Sequence, residues 1–454
     1  MDITNDVLAG YVNELCENIR DVYAIDSDQY TGHAIKRGLR NEDGTGVMAG
    51  VTRIGSVQGY YVQDGARVPL PGRLLYRGID VENLIEANIS AGTYGYEEVA
   101  YLLLMGKLPN KQQYERFSTI LSKSRALPPQ FTEDMILKAP SKNVMNKLSR
   151  SVLALYSYDP DPDNTSIENV IRQSIELIGR FPVIVANAYA VKLHRYDGNS
   201  LFLHVPMEKL SASENFLRMI RPDKTYTMEE AHLLDLMMIL HAEHGGGNNS
   251  AFACRVLTST GTDTYGAISA AVNSLKGPLH GGANSKVMEM FNGIYDNIHD
   301  YDDDDEIVAY LEKLLDGTAG DGSKKIYGLG HAVYTESDPR AQILKKYARS
   351  MAEEKGIGEE FRLMESVERL GVPLIIKQKN FKVPICANVD MYSGLVYSML
   401  GIPEDLFTPL FAIARISGWC AHRVEELLTC SKIIRPAYRA AFTEKAYVPM
   451  SERK

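Results

Sequence analysis

Residues 231–248 read AHLLDLMMILHAEHGGGN. From Leu233 to Leu240 the apolar side chains crowd at helical spacing, and the run ends in two histidines and three glycines, residues that stop a helix rather than extend it. Moving outward, the same three-and-four spacing returns in VENLIEANI (81–89), EEVAYLLLMGKL (97–108), DEIVAYLEKLLDG (305–317) and RAQILKKYARSMAEE (340–354). These segments predict a mainly α protein. The clearest strand-like stretch is 51–77, where TRIGSVQGYYVQDGARVPL interleaves β-formers with Gly and Asp-Gly turn signals, so a small hairpin is expected there with a helix beginning near Asp80. Strands do not alternate with helices as a doubly wound sheet requires, and no fixed-period repeat is visible.

A chain of 454 residues exceeds one simple core and predicts two domains, or one domain carrying an insertion. Lys plus Arg number 49 against 58 Asp plus Glu, a net charge of −9 that disfavours a nucleic-acid partner. Five scattered cysteines, Cys16, Cys254, Cys386, Cys420 and Cys430, include no CxxC pair and fit a reducing compartment without a thiolate metal site. MDITNDVLAGYVNELCENIRD reads as a charged amphipathic helix without the features of a secretory signal, and the longest apolar runs, such as LLDLMMIL, are too short for a membrane span. The expectation is a cytoplasmic protein with no membrane partner. YDDDDE (301–306) precedes an apolar run and reads as a solvated helix start.

Four segments set an ionisable residue among Gly, Pro and small apolar residues, the local composition of a site. In GPLHGGANSKVMEM, His280 lies in a turn just before a helix starting near Ala283, a position that favours the neutral ring. In YGLGHAVYTESDPRAQIL, Gly328 and Gly330 permit close backbone approach to a ligand ahead of His331. Asp338 is then a natural cap, Pro339 a first helical residue, and Arg340 a cation in a first turn, where facing a bound anion would explain it. VPICANVDMYSGLVYSML places Asp390 at the start of an apolar helix, suited either to capping or to general-base work. FAIARISGWCAHRVEELL buries Arg415 in an apolar run, with Arg435-Pro436 twenty positions on. His241 and His244 have i, i+3 spacing, yet no third ligand stands at a recognisable spacing, so no metal is expected.

Together and in this order, HAEHGGGN, GPLHGGAN, GHAVYTESDPR, NVDMYSG and FAIARISGW resemble the signature segments of the citrate synthase family, from about residue 70 through Arg435-Pro436. The resemblance implies a nearly all-helical homodimer with a large domain from 1–281 and 401–454 and a small domain at 282–400 that closes over the site. It implies condensation of acetyl-CoA with oxaloacetate and hydrolysis of citryl-CoA, the opening step of the tricarboxylic acid cycle, with no cofactor besides the CoA thioester substrate. By the same resemblance His280, His331 and Asp390 are catalytic. His244, Arg340, Arg415 and, from the neighbouring subunit, Arg435 bind oxaloacetate, while Lys325, Ile326, Gly328 and Gly330 contact CoA. The nearest alternative is a 2-methylcitrate synthase taking propionyl-CoA, since one methylene is worth only about 1–3 kcal/mol of discrimination. Thr335-Glu336-Ser337 stand where many family members carry a basic residue.

Overall fold

The structure, a computed structural model, describes residues 12–17, 19–26, 30, 35–64, 66–429 and 432–453. The chain divides into two units, Met48–Ile434 and Met1–Val47 with Arg435–Lys454. In the smaller unit Ile19–Tyr23 forms α1. The rest of the expected N-terminal helix falls largely on residues 1–11 and 18, outside those described.

The larger unit opens with a three-stranded antiparallel sheet: β1 (Gly55–Gln63), β2 (Ala66–Tyr76) and the two-residue β3 (Ile79–Asp80). Asp64 takes the left-handed conformation (φ 51°) at the β1–β2 turn, as the Asp-Gly signal predicts. The register shifts between Gln58 and Tyr60, and at this irregularity the Gly59 carbonyl turns away from the ladder to accept the Thr335 hydroxyl. On β2 the Gly72 N–H donates to Ser337 Oγ at 3.0 Å, and a Cβ at Gly72 would lie 2.0 Å from the Ser337 carbonyl oxygen. The hairpin is therefore a mould for the segment after His331.

Helices build the remainder, and 59% of the described residues are helical against 6% in strands, which makes the chain mainly α as expected. They are α2 (Val81–Ala91), α3 (Tyr96–Met105), α4 (Lys111–Lys123), α5 (Val144–Leu155), α6 (Ile167–Tyr196), α7 (Ala212–Ile220) and α8 (Met228–His241). There follow α9 (Asn249–Thr258), α10 (Thr264–Lys276), α11 (Pro278–Gly281), α12 (Ala283–Asn297) and α13 (Asp304–Asp316). The last are α14 (Pro339–Glu354), α15 (Gly358–Lys379), α16 (Asp390–Met399) and α17 (Phe407–Thr429). Asp80 caps α2 and Asp303 caps α13 in the expected places.

Two helices carry the core of the larger unit. α8 starts in a Thr227/Glu230 capping box and is buried on every side from Leu233 to His241. α17 packs against α3, α6, α8, α9 and α10 and is buried from Ala412 to Glu426, including Trp419. α6 is long and apolar enough to cross a bilayer, which the search for uninterrupted apolar runs missed because polar residues punctuate it. Of its most apolar window 78% is buried within the fold, the environment of a core helix.

Candidate active site

The turn after α8 is the floor of the site. The Tyr76 hydroxyl donates to the Ile239 carbonyl at 2.8 Å and accepts the Glu243 N–H at 3.3 Å, pinning the HAEH segment to β2. Glu243, which sequence reading passed over, is fully buried; its Oε1 accepts the Gly245 N–H at 2.5 Å and meets His422 Nε2 at 2.8 Å. Arg255 Nη2 stands 2.7 Å from His422 Nδ1, and arginine only donates, so a neutral His422 carries its proton on Nε2 and gives it to Glu243. Burial alone would raise the Glu243 pKa, but His422 and Arg415 hold it below the usual value. Arg255 also bridges Glu425 and Glu426 of α17.

Arg415 enters above this floor from α17. Its Nε donates to the His241 carbonyl at 2.6 Å, and its guanidinium lies over the Phe411 ring at 4.8 Å. Nη1 and Nη2 are buried with no partner among the described residues. Burial lowers its pKa to about 10 against the favourable field of Glu243, so the group stays charged at neutral pH. No carboxylate among the described residues pairs with the Arg415 fork: Glu243 acts on it through space and leaves it open.

His244 presents an enclosed, unpartnered Nε2 on the same floor. Its ring meets His331 edge-on, centroids 5.4 Å apart, and its pKa is pushed well down by burial and then by Arg340. His241, by contrast, stacks on Phe411 at 4.3 Å with both ring nitrogens unpartnered. The two rings thus pack against different neighbours, and no group of three or more metal-ligating side chains occurs among the described residues.

The segment clamped by the hairpin supplies His331 and Arg340. His331 Nδ1 accepts the Val333 and Tyr334 N–H groups, each at 3.0 Å, which leaves the proton of a neutral ring on Nε2. The ring stacks on Tyr334, 4.6 Å between centroids. Arg340 differs from expectation. Its Nε and Nη2 donate to the two oxygens of Asp338 at 3.0 and 2.7 Å, so half of its fork is satisfied within the chain. Burial opposes its charge, yet Asp338 holds its pKa above the ordinary value. Asp338 is the expected cap of α14, accepting the Arg340 N–H at 3.0 Å, and it also accepts the Val389 N–H at 3.1 Å. One buried carboxylate therefore ties α14 to the start of α16.

Asp390 is the first residue of α16, and its own N–H donates to Asn388 Oδ1 at 2.9 Å. Burial pushes its pKa up to about 6, with Arg340 opposing the shift, so it ionises near neutrality as a general base needs. His280 sits on the single-turn α11 just before α12, its Nε2 3.2 Å from Ser250 Oγ, which also accepts Trp419 Nε1–H at 3.1 Å. Burial, then Arg415, pushes the His280 pKa down to about 4, so the ring is neutral at pH 7, as its position before the helix suggested.

The other nominated residues lie further out. The Gly330 N–H donates to the Cys386 carbonyl at 2.8 Å and the Asn388 N–H to the Gly328 carbonyl at 2.9 Å. Gly328 (φ +85°) takes a left-handed conformation, and a Cβ there would come 2.7 Å from Met391 Sδ, so this glycine also lets the chain pack closely on α16. Ile326 is buried, while Lys325 borders a cavity of about 170 Å³ also lined by Lys286, Asp321 and Tyr327. Arg435 is exposed and belongs to the smaller unit.

Buried, unsatisfied donors thus gather with neutral imidazoles and a carboxylate of raised pKa, a setting for binding an anionic substrate and moving a proton. The family profile described as "Citrate synthase, C-terminal domain" matches residues 43–437. This chain belongs to the citrate synthase family. A citrate synthase from Synechocystis is 35% identical over 414 residues, spanning 90% of this chain and 92% of that protein. The protein named 2-methylcitrate synthase 1 of Corynebacterium glutamicum is 34% identical, spanning 85% and 94%. The citrate synthase of Thermoplasma acidophilum, solved as a ternary complex with carboxymethyl coenzyme A and oxaloacetate, superposes with a TM-score of 0.74 at 28% identity, covering 92% of this chain and 99% of that one. In this citrate synthase family chain, the departure at Thr335-Glu336-Ser337 has a structural use: Thr335 and Ser337 are the two side chains that fasten the His331 segment to the hairpin.

Proposed function

We propose that this protein joins acetyl-CoA to oxaloacetate and hydrolyses the resulting citryl-CoA, with residues of the larger unit doing the chemistry. The observation that carries the reading is the Arg415 fork, buried, charged and unpaired beside His244: a carboxylate of the substrate completes it. In this scheme His244, Arg340 and Arg415 hold oxaloacetate, joined by Arg435 from the neighbouring subunit of a homodimer.

Asp390 takes a proton from the acetyl methyl group while His280 donates a hydrogen bond to the thioester oxygen, where negative charge develops. For His280 to present Nδ1–H there, its Nε2 takes the single hydroxyl proton of Ser250, for which Asn248 Oδ1, 2.8 Å away, competes. The enolate carbon attacks the oxaloacetate ketone, and the ketone oxygen receives its proton from His331 Nε2–H, the tautomer that the Val333 and Tyr334 amides select. Water then cleaves the thioester, releasing citrate and CoA. Lys325, Ile326, Gly328 and Gly330 line the CoA side, with the cavity beside Lys325 supporting that placement. A small domain of residues 282–400 closing on a large one of 1–281 and 401–454 excludes bulk water until the hydrolytic step. No cofactor or metal enters the scheme, and its soluble metabolites suit a cytoplasmic location.

The test is thiol release from acetyl-CoA and from propionyl-CoA, each with and without oxaloacetate and a chelator. Oxaloacetate-dependent, chelator-resistant release favouring acetyl-CoA is expected. Preference for propionyl-CoA replaces the proposed substrate, and no release from either overturns the catalytic reading.

A further inference from the structure

Tyr397 has no part in the scheme above. It follows Asp390 by seven residues on α16, two turns along the same face and roughly 10 Å away at the backbone. Long side chains on a helix lean toward its N-terminus, so the phenol reaches back toward Asp390. Between them on that face stand Ser393, whose buried hydroxyl also lacks a partner among the described residues, and Gly394, where a Cβ would come 2.6 Å from Met288 Cγ, so on the Gly394 side no α16 side chain separates phenol from carboxylate. The Tyr397 ring is fully buried, 5.1 Å from Phe407 and 6.4 Å from His241 between centroids. Its hydroxyl has no partner among the described residues. An unpaired buried hydroxyl destabilises a fold, a penalty that phenylalanine in the same space avoids.

We infer that Tyr397 is a positioning residue for Asp390: with the thioester in place, its O–H donates to one carboxylate oxygen and leaves the other aimed at the acyl methyl group. The inference rests on the reading of Asp390 as the base. A weak carbon acid is deprotonated efficiently only by a base of fixed direction, and a carboxylate tethered at one oxygen has that direction. The abstracted proton goes to the free oxygen while the tyrosine keeps its own. Burial, then Asp390, holds the phenol pKa well above its ordinary value, so Tyr397 remains a donor throughout.

The other charges facing Asp390 are Arg340 and Asp338 at the start of α14, with His241 of α8 beyond the phenol. Glu368 of α15 and Lys345 of α14 are gathered by Tyr392, elsewhere on α16. The experiment is Tyr397→Phe beside Asp390→Asn, with kinetics across pH, thermal melting and oxaloacetate titration of Trp419 fluorescence. For Tyr397→Phe, kcat falls about tenfold with both KM values nearly unchanged, consistent with loss of one oriented contact to the base. The acid limb of kcat moves to higher pH because the carboxylate has lost a donor, while the melting temperature holds or rises. An unchanged kcat and acid limb in a more stable variant overturns the inference, as does lost activity with a lower melting temperature and a fixed acid limb, which marks packing. Near-parental turnover in Asp390→Asn instead overturns the base assignment, whatever Tyr397→Phe does.

Discussion

Replacing Arg415 with methionine separates ligand binding from folding, because the structure leaves two of its donors waiting. Nη1 and Nη2 are buried without partners, and only Nε is used, on the His241 carbonyl. Each charge-assisted hydrogen bond to a substrate carboxylate contributes roughly 1.5–3 kcal/mol, so losing two removes about 3–6 kcal/mol of binding. At about 1.4 kcal/mol per factor of ten, oxaloacetate binds roughly 10²- to 10⁴-fold more weakly. In the empty protein the change runs the other way. An apolar side chain of similar length relieves a buried charge that no carboxylate touches, offsetting the lost Nε bond, so Arg415→Met melts close to the parent. Trp419, the single tryptophan, lies one turn from Arg415 and is bonded to Ser250, so its fluorescence follows the titration. An oxaloacetate midpoint within threefold of the parent would refute the assignment, and a collapse in melting temperature would show that Arg415 holds the fold instead.

Asp390→Asn lowers turnover by roughly 10²- to 10⁴-fold while oxaloacetate still perturbs Trp419, measured by thiol release and fluorescence. The same variant has a pH signature: the Asp390 pKa rises from 3.8 unfolded to about 6 folded, so the parent loses stability as pH climbs through that window. Denaturant titrations therefore find Asp390→Asn more stable than the parent above pH 6, with the difference gone below about pH 4. His422→Ala strands the buried Glu243 carboxylate and destabilises the protein by about 3–5 kcal/mol in urea unfolding. Gly72→Ala drives a methyl group to 2.0 Å from the Ser337 carbonyl oxygen, so it lowers both the melting temperature and kcat by displacing the His331 segment, with Gly78→Ala, open to solvent though at positive φ, as the comparison for strain alone.

Much of this arrangement was legible in the sequence because it is local. The hairpin followed from its Asp-Gly turn and α14 from Asp338-Pro339, whereas His280, expected neutral from its place before a helix, is held neutral by burial and Arg415. What stayed hidden depends on partners far apart along the chain. Nothing near Arg340 says that Asp338, its own cap, would also occupy half of its fork, and nothing near Arg415 says that its fork would stay open. Glu243 looked like a spacer between two histidines until α17 brought His422 to it from 179 residues away, with Arg255 of α9 on the far side of the His422 ring. Gly328 was read as making room for a ligand; that it also makes room for Met391 is a matter of tertiary packing that the local sequence does not announce.

The fastening of residues 331–340 has a consequence for how this enzyme can vary. His331 is fixed by two amides, Thr335 by the Gly59 carbonyl, Ser337 by the Gly72 amide, and Asp338 by Arg340 and the amide preceding Asp390. Thr335, Ser337 and Asp338 are anchored to three different parts of the chain, β1, β2 and the residue before α16, so the segment behaves as a ruler rather than a loop. Exposed side chains between the anchors are free to drift in sequence, but a single inserted or deleted residue would put His331 and Asp390 out of step. Length variants should therefore fail where substitutions at Ala332 or Glu336 succeed.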